Sequence, residues 1–209
     1  MALAGYYMLC LHSVECICLK MSESCHVRQK GRNMKTRKME AGEIARYVNP
    51  MMMFEENWFL VSASVEGATN ALTAAWGGFG NVCNKKVATV YIRPQRYTKK
   101  FIDKSGRFTL TFFNFNYSKI KDALGYLGTH SGADEPDKIK NAGLTLTTVD
   151  GQPTFAEGKY VLVCRPFFRQ QLEEKNFLDG KVAEESFPDK DFSVMYIAEI
   201  ESAYEILEC

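Results

Sequence analysis

Short segments rich in β-branched and aromatic residues, each bounded by a turn signal, recur along most of this chain. From residue 58 to residue 65, apolar side chains alternate with smaller ones up to the pair Glu66 and Gly67. The pattern returns at residues 86–93, 107–113, 144–149, 159–172 and 193–204. A period of two indicates strands, and Pro94 and the pair Asp150 and Gly151 punctuate them. The sequence therefore predicts a chain built mainly of β-strands.

Helical patterns are few and short. They occur at residues 98–103, 118–127 and 136–141. They fall between strands without the regular alternation of strand and helix that a parallel sheet requires. The sequence thus predicts a mainly antiparallel β-barrel with short connecting helices. We expect residues 34–209 to form one domain, because neither a repeat nor a linker divides them.

The first 33 residues differ from the rest of the chain. Four of the seven cysteines lie here, at Cys10, Cys16, Cys18 and Cys25. They lack the C-x-x-C spacing of a zinc knuckle, and the first basic residue, Lys20, comes too late for a secretory leader. Six Lys and Arg residues between positions 28 and 38 could form a nucleic-acid arm, although no aromatic residue is interleaved. We favour the hypothesis that residues 1–33 are a disordered or non-functional N-terminal extension, with no metal site.

Charge and composition exclude several classes of protein. Lys and Arg number 26 against 25 Asp and Glu, so no overall field favours nucleic acid or an anionic membrane. No run approaches the roughly 18 apolar residues of a spanning helix. We therefore expect neither a nucleic-acid partner nor a membrane partner. The cysteines outside the N-terminal region, Cys83, Cys164 and Cys209, have no metal or redox spacing, which predicts a reducing cytoplasmic location.

The densest candidate site is N-A-L-T-A-A-W-G-G-F-G-N at residues 70–81. A dinucleotide fingerprint fails because Cys83 takes the third glycine position, and the chain contains no P-loop sequence. The segment places small residues beside an amide and a hydroxyl: Asn70, Ala71, Thr73, Ala74 and Ala75. Small side chains let the backbone approach a flat ligand, and Trp76 offers an aromatic wall. A tight turn that only packs explains the same residues equally well.

The second candidate site lies where a strand gives way to a helix. It contains Arg93, Gln95, Arg96, Tyr97 and Thr98. Guanidinium groups and the free N–H groups of a helix start suit a phosphate dianion. The alternative is a pair of exposed, salt-bridged arginines. The Thr98 hydroxyl favours phosphate.

The third candidate site is the loop that carries His130, Ser131 and Gly132, followed by Lys138. No Ser–His–Asp order surrounds His130, so a structural histidine is the favoured interpretation. The chain offers no paired carboxylates or activated nucleophile, and we assign no catalytic residue. Cys164, inside the apolar run V-L-V-C, is predicted to be a buried core thiol.

Taken in order, these motifs resemble the flavin reductase-like family with the FMN-binding split-barrel fold, close to its flavoredoxin branch. The resemblance covers approximately residues 56–205 and rests on N-A-L-T-A-A-W-G-G-F-G, R-P-Q-R-Y-T, H-S-G-x-D-x-x-D-K and C-R-P-F-F-R-Q-Q-L. It implies an antiparallel split β-barrel of Greek-key type, an FMN cofactor and a homodimer with flavin near the subunit interface.

The resemblance also assigns roles to the three candidate sites. The segment from Asn70 to Trp76 would line the isoalloxazine and the ribityl chain, with backbone groups of Thr73 to Ala75 on the ring edge. The ribityl phosphate would be held by Arg93, Gln95, Arg96, Tyr97 and Thr98. Ser131, Gly132 and Lys138 would approach the cofactor from the next loop.

The implied activity is electron transfer from NAD(P)H through flavin to flavin or another small acceptor. An alternative is a flavoredoxin-type FMN electron carrier that does not oxidise NAD(P)H efficiently. Ser193 favours the alternative, because the family often has a histidine at this position, near the flavin and the nicotinamide. A third possibility is a binding or scaffold protein without flavin, in which the arginines and glycines are structural.

Overall fold

The structure is a computed structural model of the chain, and it describes residues 26–29, 32–51, 57–114 and 118–207. The strands are β1 (His26–Gln29), β2 (Arg32–Met39), β3 (Phe59–Val65), β4 (Ala68–Ala74), β5 (Gly77–Val82), β6 (Lys85–Ile92), β7 (Phe108–Phe113), β8 (Leu146–Val149), β9 (Gln152–Phe155), β10 (Gly158–Gln171) and β11 (Val194–Leu207). The helices are α1 (Ile44–Tyr47), α2 (Thr98–Ser105), α3 (Ser118–Thr129), α4 (Lys138–Asn141) and α5 (Gly180–Ser186), with a 3₁₀ turn at Glu174–Asn176. The prediction of a mainly β chain with short helices is confirmed.

Antiparallel ladders join nine of the strands into one curved sheet. Its order is β1-β2-β11-β10-β7-β3-β4, and β6 pairs with both β11 and β5. Strand β11 pairs with β10 along one edge and with β6 and then β2 along the other. On that second edge Val194 lies opposite Ile92, and Ala203 lies opposite Met39. The last strand of the chain therefore holds together segments from its beginning and middle.

The alternation of β7 shows how the core is built. Phe108, Leu110 and Phe112 point into the main core. Strands β3, β4, β6, β10 and β11 also contribute buried residues to this core. The opposite face is covered by the separate hairpin of β8 and β9, where the hydroxyls of Thr111 and Thr154 are 2.9 Å apart. Both faces of β7 are buried, so its run of apolar and threonine residues has no solvent side.

Two-residue turns connect three of the hairpins. The turns predicted at residues 66–67 and 150–151 are confirmed, because Val65 pairs with Ala68 and Val149 pairs with Gln152. A third turn joins β5 to β6 with positive φ angles at its two central residues, 52° and 58°. Positive φ at both positions gives a turn whose twist matches that of the flanking strands.

The structure corrects several expectations about local structure. Residues 70–81 are not a tight turn, since β4 and β5 account for most of them. Strands β1, β2, β4, β5 and β9 and helices α1 and α5 were missed in the sequence. Most of the proposed N-terminal extension, residues 1–25, lies outside the described residues, and β2 crosses the proposed boundary at Met34.

Residues 172–193, between β10 and β11, leave the barrel and form a small unit that we call the flap. The backbone N–H of Leu172 donates to the carbonyl of Ser193 at 2.9 Å and closes its base. The flap has its own apolar cluster of Ala183, Phe187 and Phe192, with Leu172 and Phe177 packed against it. Its apolar packing is therefore separate from the barrel core.

Two other expectations bear on the described residues. Cys164 is completely buried in the barrel core, as predicted, and burial raises the pKa of its thiol. Among the helices of the described ranges, none has the length and apolar character needed to cross a membrane.

Candidate functional site

The side chain of Asn70 joins the three candidate segments. It is 4% exposed on β4, and its Oδ1 accepts a hydrogen bond from the hydroxyl of Thr98 at 2.8 Å. Gly132 lies so close that a Cβ built on it would be 1.8 Å from Asn70 Nδ2. The structure therefore brings β4, the start of α2 and the loop after α3 to one place.

The C-terminal end of α3 is the second point of convergence. The hydroxyl of Thr73 donates to the carbonyl of Leu124 at 2.6 Å. Arg96 donates to the carbonyls of Leu127, at 3.2 Å, and Gly128. A helix C-terminus has unpaired carbonyls and a partial negative charge, so it favours cationic donors. This interaction fixes the position of the Arg96 guanidinium.

Lys138 lies close to this arginine. It is 2% exposed, and its Nζ donates to the carbonyl of His130 at 3.0 Å. Burial, followed by the nearby charge of Arg96, lowers the pKa of Lys138 from 10.5 to about 8, while Glu135 opposes the change. Burial also lowers the pKa of Arg96. Within the described residues, the hydrogen bonds of both cations go to backbone carbonyls, so their combined charge is available to an anion.

Arg93 and Gln95 point elsewhere, to the flap. Arg93 donates through Nη1 to the carboxylate of Asp191 and through Nη2 to the carbonyl of Ser186, at 2.8 Å. Gln95 Nε2 donates to the other carboxylate oxygen of Asp191 at 2.6 Å. The residues predicted to hold one phosphate thus separate into two groups with different partners.

An aromatic surface adjoins this second group. Trp76 is 44% exposed, and its ring meets the edge of Phe187 with centroids 5.6 Å apart. The guanidinium of Arg93 lies 4.8 Å from the Phe187 centroid and 5.9 Å from that of Trp76. We call Trp76, Phe187 and Arg93 the aromatic wall. The alternation pattern did not point to Phe187 or Asp191, since both contact residues about 100 positions earlier in the chain.

The remaining predicted residues have mainly packing roles. Ala71 and Ala74 are buried in two different cores, and Ala75 is half-buried. The ring of Tyr97 packs edge-on against Phe101, with centroids 5.3 Å apart. The hydroxyl of Ser131 accepts from the backbone N–H of Ala133 at 3.2 Å and shapes the loop. Ser193 is 1% exposed at the base of the flap.

Two cavities in the described part of the chain lie away from these residues. The larger, about 980 Å³, lies between α3 and the segments 141–147 and 156–159. The smaller, about 260 Å³, lies between α2 and residues 166–169. Neither is lined by a predicted cofactor residue. We place the candidate site at the converging segments, because that is where the charged and aromatic groups meet.

Comparison with known proteins gives the fold. None of the family models matches the chain. A stretch of 100 residues is 33% identical to an uncharacterized protein of Aeropyrum pernix and covers 47% of this chain and 36% of that protein. The chain thus matches little more than a third of the length of that curated relative.

Solved structures are similar over much more of the chain. An FMN-binding domain of a flavin reductase-like enzyme from Shewanella baltica covers 81% of this chain and 76% of its own, at 22% identity and a TM-score of 0.58. The fold is the FMN-binding split barrel. A flavoredoxin from Methanosarcina acetivorans is similar over 71% of this chain and 68% of its own, at 22% identity and a TM-score of 0.53. A split-barrel-domain protein from Shewanella frigidimarina covers 80% and 75%, at 19% identity and a TM-score of 0.57. The resemblance seen in the motifs is confirmed at the level of the fold.

Proposed function

We propose that this split barrel is an FMN-binding oxidoreductase that passes electrons from NAD(P)H through flavin to flavin or another small acceptor. The observation that carries the proposal is the pair Arg96 and Lys138, a half-buried and a buried cation whose hydrogen bonds go to backbone carbonyls. A buried pair of like charges is unfavourable unless an anion joins it. A phosphate monoester has the charge and the acceptor oxygens to do so.

The residues present fit FMN in other respects. The exposed indole of Trp76 follows β4 directly and offers an aromatic surface for a planar ring. By resemblance, backbone groups from Thr73 to Ala75 would bond the ring edge, where small side chains allow close approach. The similar solved structures from Shewanella baltica and Thermus thermophilus are of proteins named as FMN-binding, which supports the same assignment.

When bound, FMN would supply the hydride-transfer chemistry. The chain itself would bind and orient the cofactor. Arg96 and Lys138 would hold the phosphate, and Trp76 would limit access of water to one side of the ring. Because these tasks need no nucleophile or general acid, the proposal needs no catalytic side chain.

A flavoredoxin-type electron carrier is the second candidate function, and one observation favours it. Ser193 stands where the family often has a histidine, and it is 1% exposed at the base of the flap. A buried hydroxyl in this position offers a nicotinamide no contact. The carrier would then receive electrons from a protein partner rather than from NAD(P)H.

The first test is the absorption spectrum of the purified protein with added FMN, followed by anaerobic titration with NADH and NADPH. Binding of FMN supports the flavoprotein proposal, and failure to bind it refutes both flavin functions. Bleaching of the flavin band by a nicotinamide supports the oxidoreductase. Bleaching only by dithionite supports the carrier.

A matched pair of variants tests the anion site. Lys138→Met should weaken FMN binding, whereas Lys140→Met, which removes an exposed lysine from the same helix, should not. Equal affinities in the two variants would refute the assignment of Lys138.

We also propose that the protein is a homodimer. Within the described residues, the outer half of β10, residues 165–171, pairs only with β11 and is mostly exposed. It carries Phe167 and Phe168, which are 38% and 43% exposed. Exposed aromatic residues on a free strand edge are typical of an interface. Sedimentation of wild type and of a double Phe→Ser variant at these positions tests this, since only the variant should be monomeric.

The free thiols of Cys83 and Cys164 support the proposed cytoplasmic location.

A further inference from the structure

The flap contacts the barrel next to the candidate cofactor site, and Asp191 is the centre of that contact. Its Oδ1 accepts from Arg93 and its Oδ2 accepts from Gln95. Ser186, at the end of α5, adds its carbonyl to the second Nη of Arg93. A single carboxylate therefore fixes two of the residues that the motifs assign to phosphate.

These contacts use the atoms that phosphate binding would require. Recognition of a phosphate by arginine generally uses two adjacent N–H groups of the guanidinium fork. Both terminal nitrogens of Arg93 donate within the flap contact, and both of Arg96 donate to backbone carbonyls, so the two arginines differ in the charge of their partners. The ion pair with Asp191 also neutralises the charge of Arg93, whereas Arg96 and Lys138 donate to uncharged carbonyls. An incoming dianion is therefore attracted more strongly to Arg96 and Lys138 than to Arg93.

The same contact organises the aromatic wall. Arg93 packs over Phe187 at 4.8 Å, and Phe187 meets Trp76 at 5.6 Å. Phe187 also belongs to the flap's apolar cluster and packs against Phe192 at 4.9 Å. The ion pair thus joins this cluster to the barrel, with Phe187 as the member that contacts Trp76.

We infer that Asp191 is a positioning residue: it holds Arg93 and Gln95 in the aromatic wall and away from the phosphate, which is left to Arg96 and Lys138. This inference rests on the proposed function and deepens it. It divides a single arginine cluster into a phosphate site and a structural clamp. A cofactor would therefore meet the aromatic wall through its ring and the cationic pair through its phosphate.

The test compares FMN with riboflavin, which lacks the phosphate, by fluorescence titration of Asp191→Asn. The inference predicts that both dissociation constants rise together, so that their ratio changes by less than about twofold. If Arg93 and Gln95 instead bind phosphate, releasing them from Asp191 would tighten FMN relative to riboflavin. A several-fold fall in the ratio of the FMN dissociation constant to the riboflavin dissociation constant would overturn the inference.

Matched variants complete the comparison. Asp189→Asn removes an exposed carboxylate from the same turn and should leave both constants unchanged. Arg93→Gln opens the clamp from the barrel side and should weaken both ligands equally, so it serves if Asp191→Asn fails to fold. A loss confined to FMN in Arg93→Gln would also overturn the inference.

A second measurement does not depend on flavin. In a Trp58→Phe background Trp76 is the remaining tryptophan of the chain. Acrylamide quenching of its fluorescence should rise by about half or more when Asp191→Asn releases Phe187 from the indole. Unchanged quenching would overturn the positioning role. If the wild type binds no flavin, the proposed function fails while this measurement still tests the clamp.

Discussion

Replacing Lys138 by methionine should stabilise the protein and weaken its affinity for FMN. Methionine keeps the unbranched side chain, one atom shorter, and removes the buried charge. In the folded protein, burial and then the neighbouring Arg96 lower the pKa of Lys138 from 10.5 to about 8. The ammonium group is therefore less stable in the folded state than in the unfolded state, and its removal relieves that cost.

The size of both effects follows from the structure. The fall in pKa corresponds to about 3 kcal/mol at about 1.4 kcal/mol for each pKa unit. The variant also loses the hydrogen bond to the carbonyl of His130, which costs about 1 kcal/mol. We expect a net gain in the free energy of unfolding of about 1–2 kcal/mol without ligand. Loss of a charged hydrogen bond to phosphate should raise the FMN dissociation constant about tenfold or more while leaving that of riboflavin unchanged.

Urea unfolding of the ligand-free protein and titration with the two flavins measure these effects. The pH dependence checks the cause. Because the folded pKa lies below the unfolded value, the wild type should gain stability as the pH rises from about 8 towards 10.5, and the advantage of Lys138→Met should disappear over that interval. A variant that is less stable than the wild type at pH 7 and binds FMN as tightly as the wild type does would refute the reasoning.

Three other results are expected. Gly132→Ala should lower the free energy of unfolding by about 1–3 kcal/mol, because the new Cβ would displace the amide of Asn70. Gly128→Ala should be tolerated, because its Cβ would lie 3.5 Å from Thr73. Thermal unfolding compares the two variants, and equal stabilities would contradict the close packing at Gly132. The preference for FMN over riboflavin should decline above about pH 8 as Lys138 loses its proton, and a preference that is constant to pH 10 would exclude that lysine. A truncation that begins at Met34 should fold and bind FMN like the full chain, because it retains every β2 residue paired with β11; circular dichroism and titration show whether either property is lost.

Alternation predicted the barrel well because burial imposes it. Phe108, Leu110 and Phe112 occupy every second position, and so do the inward-facing residues of β3. Strand β5 lacks this signal, because none of its residues is buried and three of its six positions are glycine, which is uncommon inside strands and more typical of turns. A tight turn was therefore a possible interpretation of residues 70–81, although residues 70–74 pair with β3 and residues 77–81 pair with β6.

The motifs located the candidate site better than they divided its roles. The three segments do meet, through Asn70, Thr98 and Gly132. Arg93 and Arg96 are only three residues apart. The guanidinium of Arg93 donates to the flap, whereas that of Arg96 donates to the C-terminal end of α3. This separation depends on Asp191, almost a hundred positions later, and local sequence carries no information about such a partner.

The central place of β11 has a consequence for how the chain folds. Met39 can pair with Ala203, and β6 with residues 194–199, only after the whole intervening chain has been assembled. Contacts between residues so far apart in sequence make folding slow, because a large loss of chain entropy precedes the gain in contacts. Until β11 docks, β2 and β6 each present an open edge, and such edges pair readily with other chains. The same strand that closes the barrel therefore sets the period during which a newly made chain is most prone to aggregate.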